Sequence, residues 1–151
     1  MCHRTKQAVN TDSIELLKEC EAGVKMATSS MEQIIQHVEN PHLKELIEQK
    51  NAEHIKLGEE CHHLLNEIGE QDKDPNPVST FWAKAGTGMK MSVNGDSHQA
   101  ASILTDGCNM GIKSISEYIN KYAGADQQSA AIAEKLRSIE TDMMKKLEKF
   151  L

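Results

Sequence analysis

The sequence predicts an all-α fold in which four long helices form two antiparallel hairpins joined by a long crossover containing a short helix. Three observations carry this expectation. Apolar residues recur at heptad intervals in four separate segments. Only 3% of the residues are aromatic while eight are methionine, a core composition that suits helices better than sheets. The outer two connections are short, whereas the central one, residues 70–96, is long and broken by proline and glycine.

At 151 residues the chain should hold one domain with a single core, an N-terminal tail over 1–11 and the bundle over 12–151. A net charge of -6, with acids and bases interspersed, leaves no basic face for phosphate and excludes nucleic acid as a partner. The opening "MCHRTKQAVN" lacks an apolar signal core, and no run of about 18 apolar residues occurs. A cytoplasmic chain without a membrane span is expected. Cys20, Cys61 and Cys108 fall in three different helical segments, so reduced, buried thiols are expected rather than disulfides.

The first helix is expected over about 12–38. Asp12 with Glu15 has the spacing of a capping box, and Ile14, Leu17, Val24, Met31, Ile35 and Val38 form the inward stripe, with Glu21 and Thr28 as its polar members. The second, over about 41–68, has Asn40 as cap, Pro41 in the first turn and Gly69 as stop. Its stripe is Leu43, Ile47, Lys50, His54, Leu57, Cys61, Leu64 and Ile68. In the crossover, Val78, Phe81, Trp82, Ala85 and Met89 share a face of a short helix, with Trp82 placed to cover the bundle. The third helix, over about 97–123, turns Ala101, Leu104, Cys108, Gly111, Ile115, Tyr118 and Tyr122 inward. Gly124 then stops it, Asp126 caps a fourth over about 126–150, and Ile132, Leu136, Ile139, Met143, Leu147 and Phe150 continue the stripe.

The stretch "NAEHIKLGEECHH" invites a metal reading, because Glu60 and His63 have the Glu-x-x-His spacing of a di-iron carboxylate bundle. Phase argues against that pair. With Leu57, Cys61 and Leu64 inward, Glu60 flanks the seam and His63 faces water. The pair in the inward phase is Asn51 and His54, which lacks its acid, and the matching positions of the fourth helix are Glu140 and Met143, which lack the imidazole. Glu21 points inward at a different level, and Asp106 and Glu117 of the third helix point away. His54 therefore reads as a core histidine bonded to Glu21, Thr28 or Glu140, and Lys50 as a stem over the core with its ammonium at solvent or an acid. The alternative is a residual metal site drawn from His54, Glu140, Cys108, Met143 and Glu21, with iron, zinc or copper as its ion; thiolate and thioether suit copper(I) or zinc.

Other signals are weaker. His62 and His63 can pair with Glu59 and Glu60 on the outer face, and Met89 with Met91 forms a Met-x-Met in the crossover. Cys108 has no base at helical spacing, which makes it a poor nucleophile. The "GTG" at 86–88 lacks the context of a phosphate loop, and Lys84 and Lys90 are too few for a membrane-surface helix. Gly107 and Gly111, four apart, allow close helix packing or a small apolar pocket.

The order of two hairpins, the crossover "FWAKAGTGMKMSVNGDSHQAASILTDGCNMGIKSISEYI" and the ending "EKLRSIETDMMKKLEKFL" resemble an uncharacterised bacterial family of ferritin-like four-helix-bundle proteins. The Met-rich crossover, the "GDS" entry to the third helix and the run from Gly107 to Ile112 carry the likeness. The resemblance implies the ferritin-like bundle and a distant relation to ferritins and rubrerythrins, whose sites oxidise or store iron. Only His54 and Glu140 match the ligand slots it implies, while Asn51 and Met143 depart from them. The expected reading is a non-catalytic bundle without a cofactor, acting as a homodimer or with a protein partner.

Overall fold

A computed structural model describes residues 10–69 and 96–151. All regular structure among them is helical: α1 Thr11–Ile35, α2 Pro41–Glu67, α3 Ser97–Lys121 and α4 Gln127–Leu147, the last ending in a short 3-10 turn, Glu148–Phe150. No helix among the described residues is long and apolar enough to cross a membrane. The tail before Asn10 and the crossover, with its expected short helix, Trp82 and the Met89–Met91 pair, lie outside the described residues.

Each helix starts on a side chain that takes up its free amides. Asn40 accepts from His42 and Leu43 with Pro41 in the first turn, and Asp96 and Asp126 cap α3 and α4. Gly69, at φ 80°, closes α2. The start of α1 differs from the expected capping box: Asn10 is the cap and accepts from Asp12 and Ser13. Asp12 instead accepts the Gly124 amide at 2.9 Å, Ser13 accepts the Asp126 amide at 2.7 Å, and the Asn10 amide donates to the Gly124 carbonyl. Local spacing suggested a cap, but the carboxylate is taken by a turn more than a hundred residues away. The other end of α1 stops at Ile35 rather than 38, although Val38 remains buried in the turn that follows.

Two apolar clusters occupy opposite ends of the bundle. Leu16, Leu17, Cys20 and Val24 of α1 pack with Leu57, Cys61 and Leu65 of α2, Ile115 of α3, and Ile132, Ala133 and Leu136 of α4. At the other end Met31 and Ile34 meet Leu43 and Ile47, Ala101, Leu104 and Cys108, and Met143 and Leu147. These groupings set the directions: α1 and α4 run one way, α2 and α3 the other. Gly69 and Asp96 consequently lie at opposite ends of the bundle. Helix α1 packs on α2, and α3 on α4, while α2 and α3 scarcely touch. Most of the expected inward residues are buried, but Ile14, Ile35, Leu64, Ile68, Tyr118, Tyr122, Ile139 and Phe150 are only half-buried, and Leu16, Cys20, Ile34, Leu46 and Leu65 are buried in addition. A helix in a globular core buries a face wider than one heptad seam.

The end clamp yields a stability prediction. Asp12→Ala removes the acceptor for the Gly124 amide and should cost about 1 kcal/mol in urea unfolding, comparable to the loss from Asn10→Ala at the cap itself. An Asp12→Ala protein as stable as the parent would remove the clamp from this account.

Candidate functional site

Between the two apolar clusters lies a polar layer built by α2 and α4. His54 is 0% exposed and Glu140 7%. The ring Nε2 is 2.5 Å from Glu140 Oε2, and Nδ1 is 2.8 Å from the Lys50 carbonyl oxygen one turn back on α2. A backbone carbonyl can only accept, so Nδ1 carries a proton. One further proton then lies between Nε2 and the carboxylate. Burial opposes charge on the ring, but the bond to Glu140, its negative charge and the Lys50 carbonyl together raise the His54 pKa above its ordinary value. The raised pKa favours an imidazolium facing the Glu140 side chain.

The third buried ionisable group of this layer is Lys50, 2% exposed. Its ammonium reaches Asp142 Oδ2 at 2.5 Å and Glu53 Oε1 at 3.0 Å. Burial works against its charge, yet the bonds to Asp142 and Glu53 outweigh burial and raise its pKa, while Lys50 and Lys146 lower that of Asp142. The stem crosses the core and the head meets acids, as the sequence suggested. Its main partner is 92 residues away and could not be read from helical spacing.

Beside the pair is a cavity of about 50 Å³, lined by Met26, Ala27, Ser30 and Met31 of α1, Leu104, Gly107, Cys108 and Gly111 of α3, and Met143 with Glu140 and His54. Gly111 lets the carboxylate approach closely: a Cβ there would sit 3.3 Å from Glu140 Oε1, a tight contact. Burial, followed by the adjacent Glu140, pushes the Cys108 thiol well above its usual pKa, which favours the thiol over the thiolate. Cys20 and Cys61 are also free and buried, and contact with Cys20 and then burial push the Cys61 thiol up.

The structure thus brings together four of the five candidate ligands, His54, Glu140, Cys108 and Met143, around one cavity. Glu21 is not among them. It lines a separate groove between α1 and α2, 3.6 Å from His62 and 3.9 Å from Lys25. Of the expected partners for His54, Glu140 is the one found; Thr28 bonds the Lys25 carbonyl of its own helix. His63 is 74% exposed on its side chain and pairs with Glu67, and Glu60 pairs with Lys135. These pairings replace the expected Glu59 and Glu60 partners. Heptad phase read Met31 as inward but did not reveal Ser30 or Met26 as cavity walls, because their relation to α3 is set by tertiary packing.

The iron centre implied by the resemblance does not fit these residues. Two hard cations need several carboxylates, and the buried acid at this level is committed to His54. Among the described residues no three His, Cys, Asp or Glu side chains are grouped to hold a metal ion.

Two predictions follow from the buried pair. Glu140→Ala leaves an imidazole without its counter-charge and should destabilise by about 3–5 kcal/mol, whereas the double change His54→Leu with Glu140→Met should recover most of that loss in chemical denaturation. A double variant no more stable than Glu140→Ala would contradict the pair as the source of the cost. The His54 pKa is raised on folding, so its contribution is complete below the ordinary value of 6.5 and declines as pH rises through the folded value. Urea midpoints measured from pH 5.5 to 9 should fall across this range more steeply in the parent than in His54→Gln; parallel curves would refute the assignment.

Comparisons of the chain with protein-family profiles, curated proteins and solved structures return no match.

Proposed function

We propose that this chain is a non-catalytic ferritin-like bundle, cytoplasmic, that acts through self-association as a homodimer or through a protein partner. The carrying observation is the closed His54–Glu140 pair. Both ring nitrogens are engaged by acceptors, leaving no lone pair for a metal or a substrate proton. The parallel course of α2 and α3 supports a ferritin-like arrangement, and free thiols at Cys20, Cys61 and Cys108 support a reducing compartment.

The test combines iron loading with a mass measurement. After addition of Fe(II) in air, the protein should retain no stoichiometric iron and should not accelerate iron oxidation, while light scattering should give about twice the mass of a single chain. Two irons per chain, or a monomer that captures no protein partner, would overturn the proposal.

A second reading has one observation in its favour: Cys108 and Met143 share a cavity with His54 and Glu140. It makes the chain a metal-binding protein, with sulfur rather than oxygen as the principal donor.

A further inference from the structure

We propose that the cavity between α1, α3 and α4 is a binding site for one copper(I) ion, held by Cys108, Met143 and Met31. This rests on the second reading above and specifies its ion and ligands. All three side chains are buried, belong to one contiguous cluster and line the same cavity. They come from three different helices, so the fold rather than a sequence motif brings them to one cavity. Met26, half-buried, supplies a further thioether at the rim.

Size and chemistry select the occupant. At about 50 Å³ the cavity has roughly a third of the ~150 Å³ that admits benzene, so it is too small for an aromatic ligand and ample for an ion. Hard cations are disfavoured because the nearby carboxylate is occupied by His54. Thioethers are soft, uncharged donors, and with one thiolate they match a monovalent soft ion. Ser30, 8% exposed, also lines the cavity.

Charge also balances. Copper(I) replaces the Cys108 thiol proton, a sulfur–copper bond forms as the S–H bond breaks, and the proton leaves to solvent. No electron is transferred. Copper(I) and thiolate sum to zero, as do the imidazolium and carboxylate beside them, so loading adds no net charge to the buried layer.

The experiment titrates full-length reduced protein anaerobically with copper(I) buffered by bicinchoninate, alongside Zn(II) and Fe(II). One copper(I) per chain is expected, with X-ray absorption showing a sulfur-only shell. Cys108→Ala should weaken binding about a hundredfold, and Met143→Leu and Met31→Leu about tenfold each, the leucine variants conserving core volume. Copper(I) binding unchanged in Cys108→Ala and in both leucine variants would overturn the proposal, as would a nitrogen- or oxygen-rich shell. Binding of Zn(II), but not copper(I), in a His54-dependent manner would overturn this inference and leave the metal-binding reading standing. No binding of any of the three ions would end both.

Discussion

The His54–Glu140 pair is the constraint around which the bundle is arranged. It lies between two apolar clusters that would otherwise form one continuous seam, and each of its atoms requires something specific nearby. Nδ1 needs the Lys50 carbonyl, the carboxylate uses the close approach that Gly111 allows, and α2 must meet α4 at one level for a 2.5 Å contact to form. Sliding α4 by one turn would put Met143 or Leu136 against the imidazole and leave a charge unpaired in the core. Apolar stripes alone tolerate such slips, since one leucine packs much like another. A buried ionic pair adds little net stability, and its contribution is to penalise the wrong register.

Register is fixed at one further place. The α3–α4 turn is tied to the start of α1 by Asp12, Ser13 and Asn10, which bond the backbone of Gly124 and Asp126. The Lys50–Asp142 bridge reinforces the α2–α4 level one turn from His54. The first and second hairpins are therefore joined by polar contacts at the end and the middle. Apolar clusters fill the space between these contacts without determining their alignment.

What was legible in the sequence follows from the range of each signal. Helix starts at Asn40 and Asp126 and the inward phase of His54 and Glu140 depend on neighbours within a few residues, and they can be read locally. The pairing of His54 with Glu140 was one of three options, separated only once the depth of α4 against α2 was known. Asp12 has the spacing of a cap, yet its carboxylate serves a distant turn, because Asn10 already fills the capping role. Glu21 has the correct phase but the wrong height, in the half of α1 that packs with Leu57 and Cys61. Phase is encoded by a helix's own periodicity, whereas height depends on how two helices are offset.

The same distinction bears on the chemistry available at mid-bundle. Asn51 offers an amide and Met143 a soft thioether rather than hard donors, while Gly111 leaves the space into which Glu140 folds. With His54 protonated, that layer already contains a balanced pair, and a divalent cation would add charge that no nearby group offsets. An ion that enters must either displace the proton shared by the pair or bring a balancing anion of its own. Cys108 can supply such an anion by losing its thiol proton, an ionisation that burial disfavours and a bound cation would offset. The donors at this level are thus compatible with a monovalent ion that prefers sulfur.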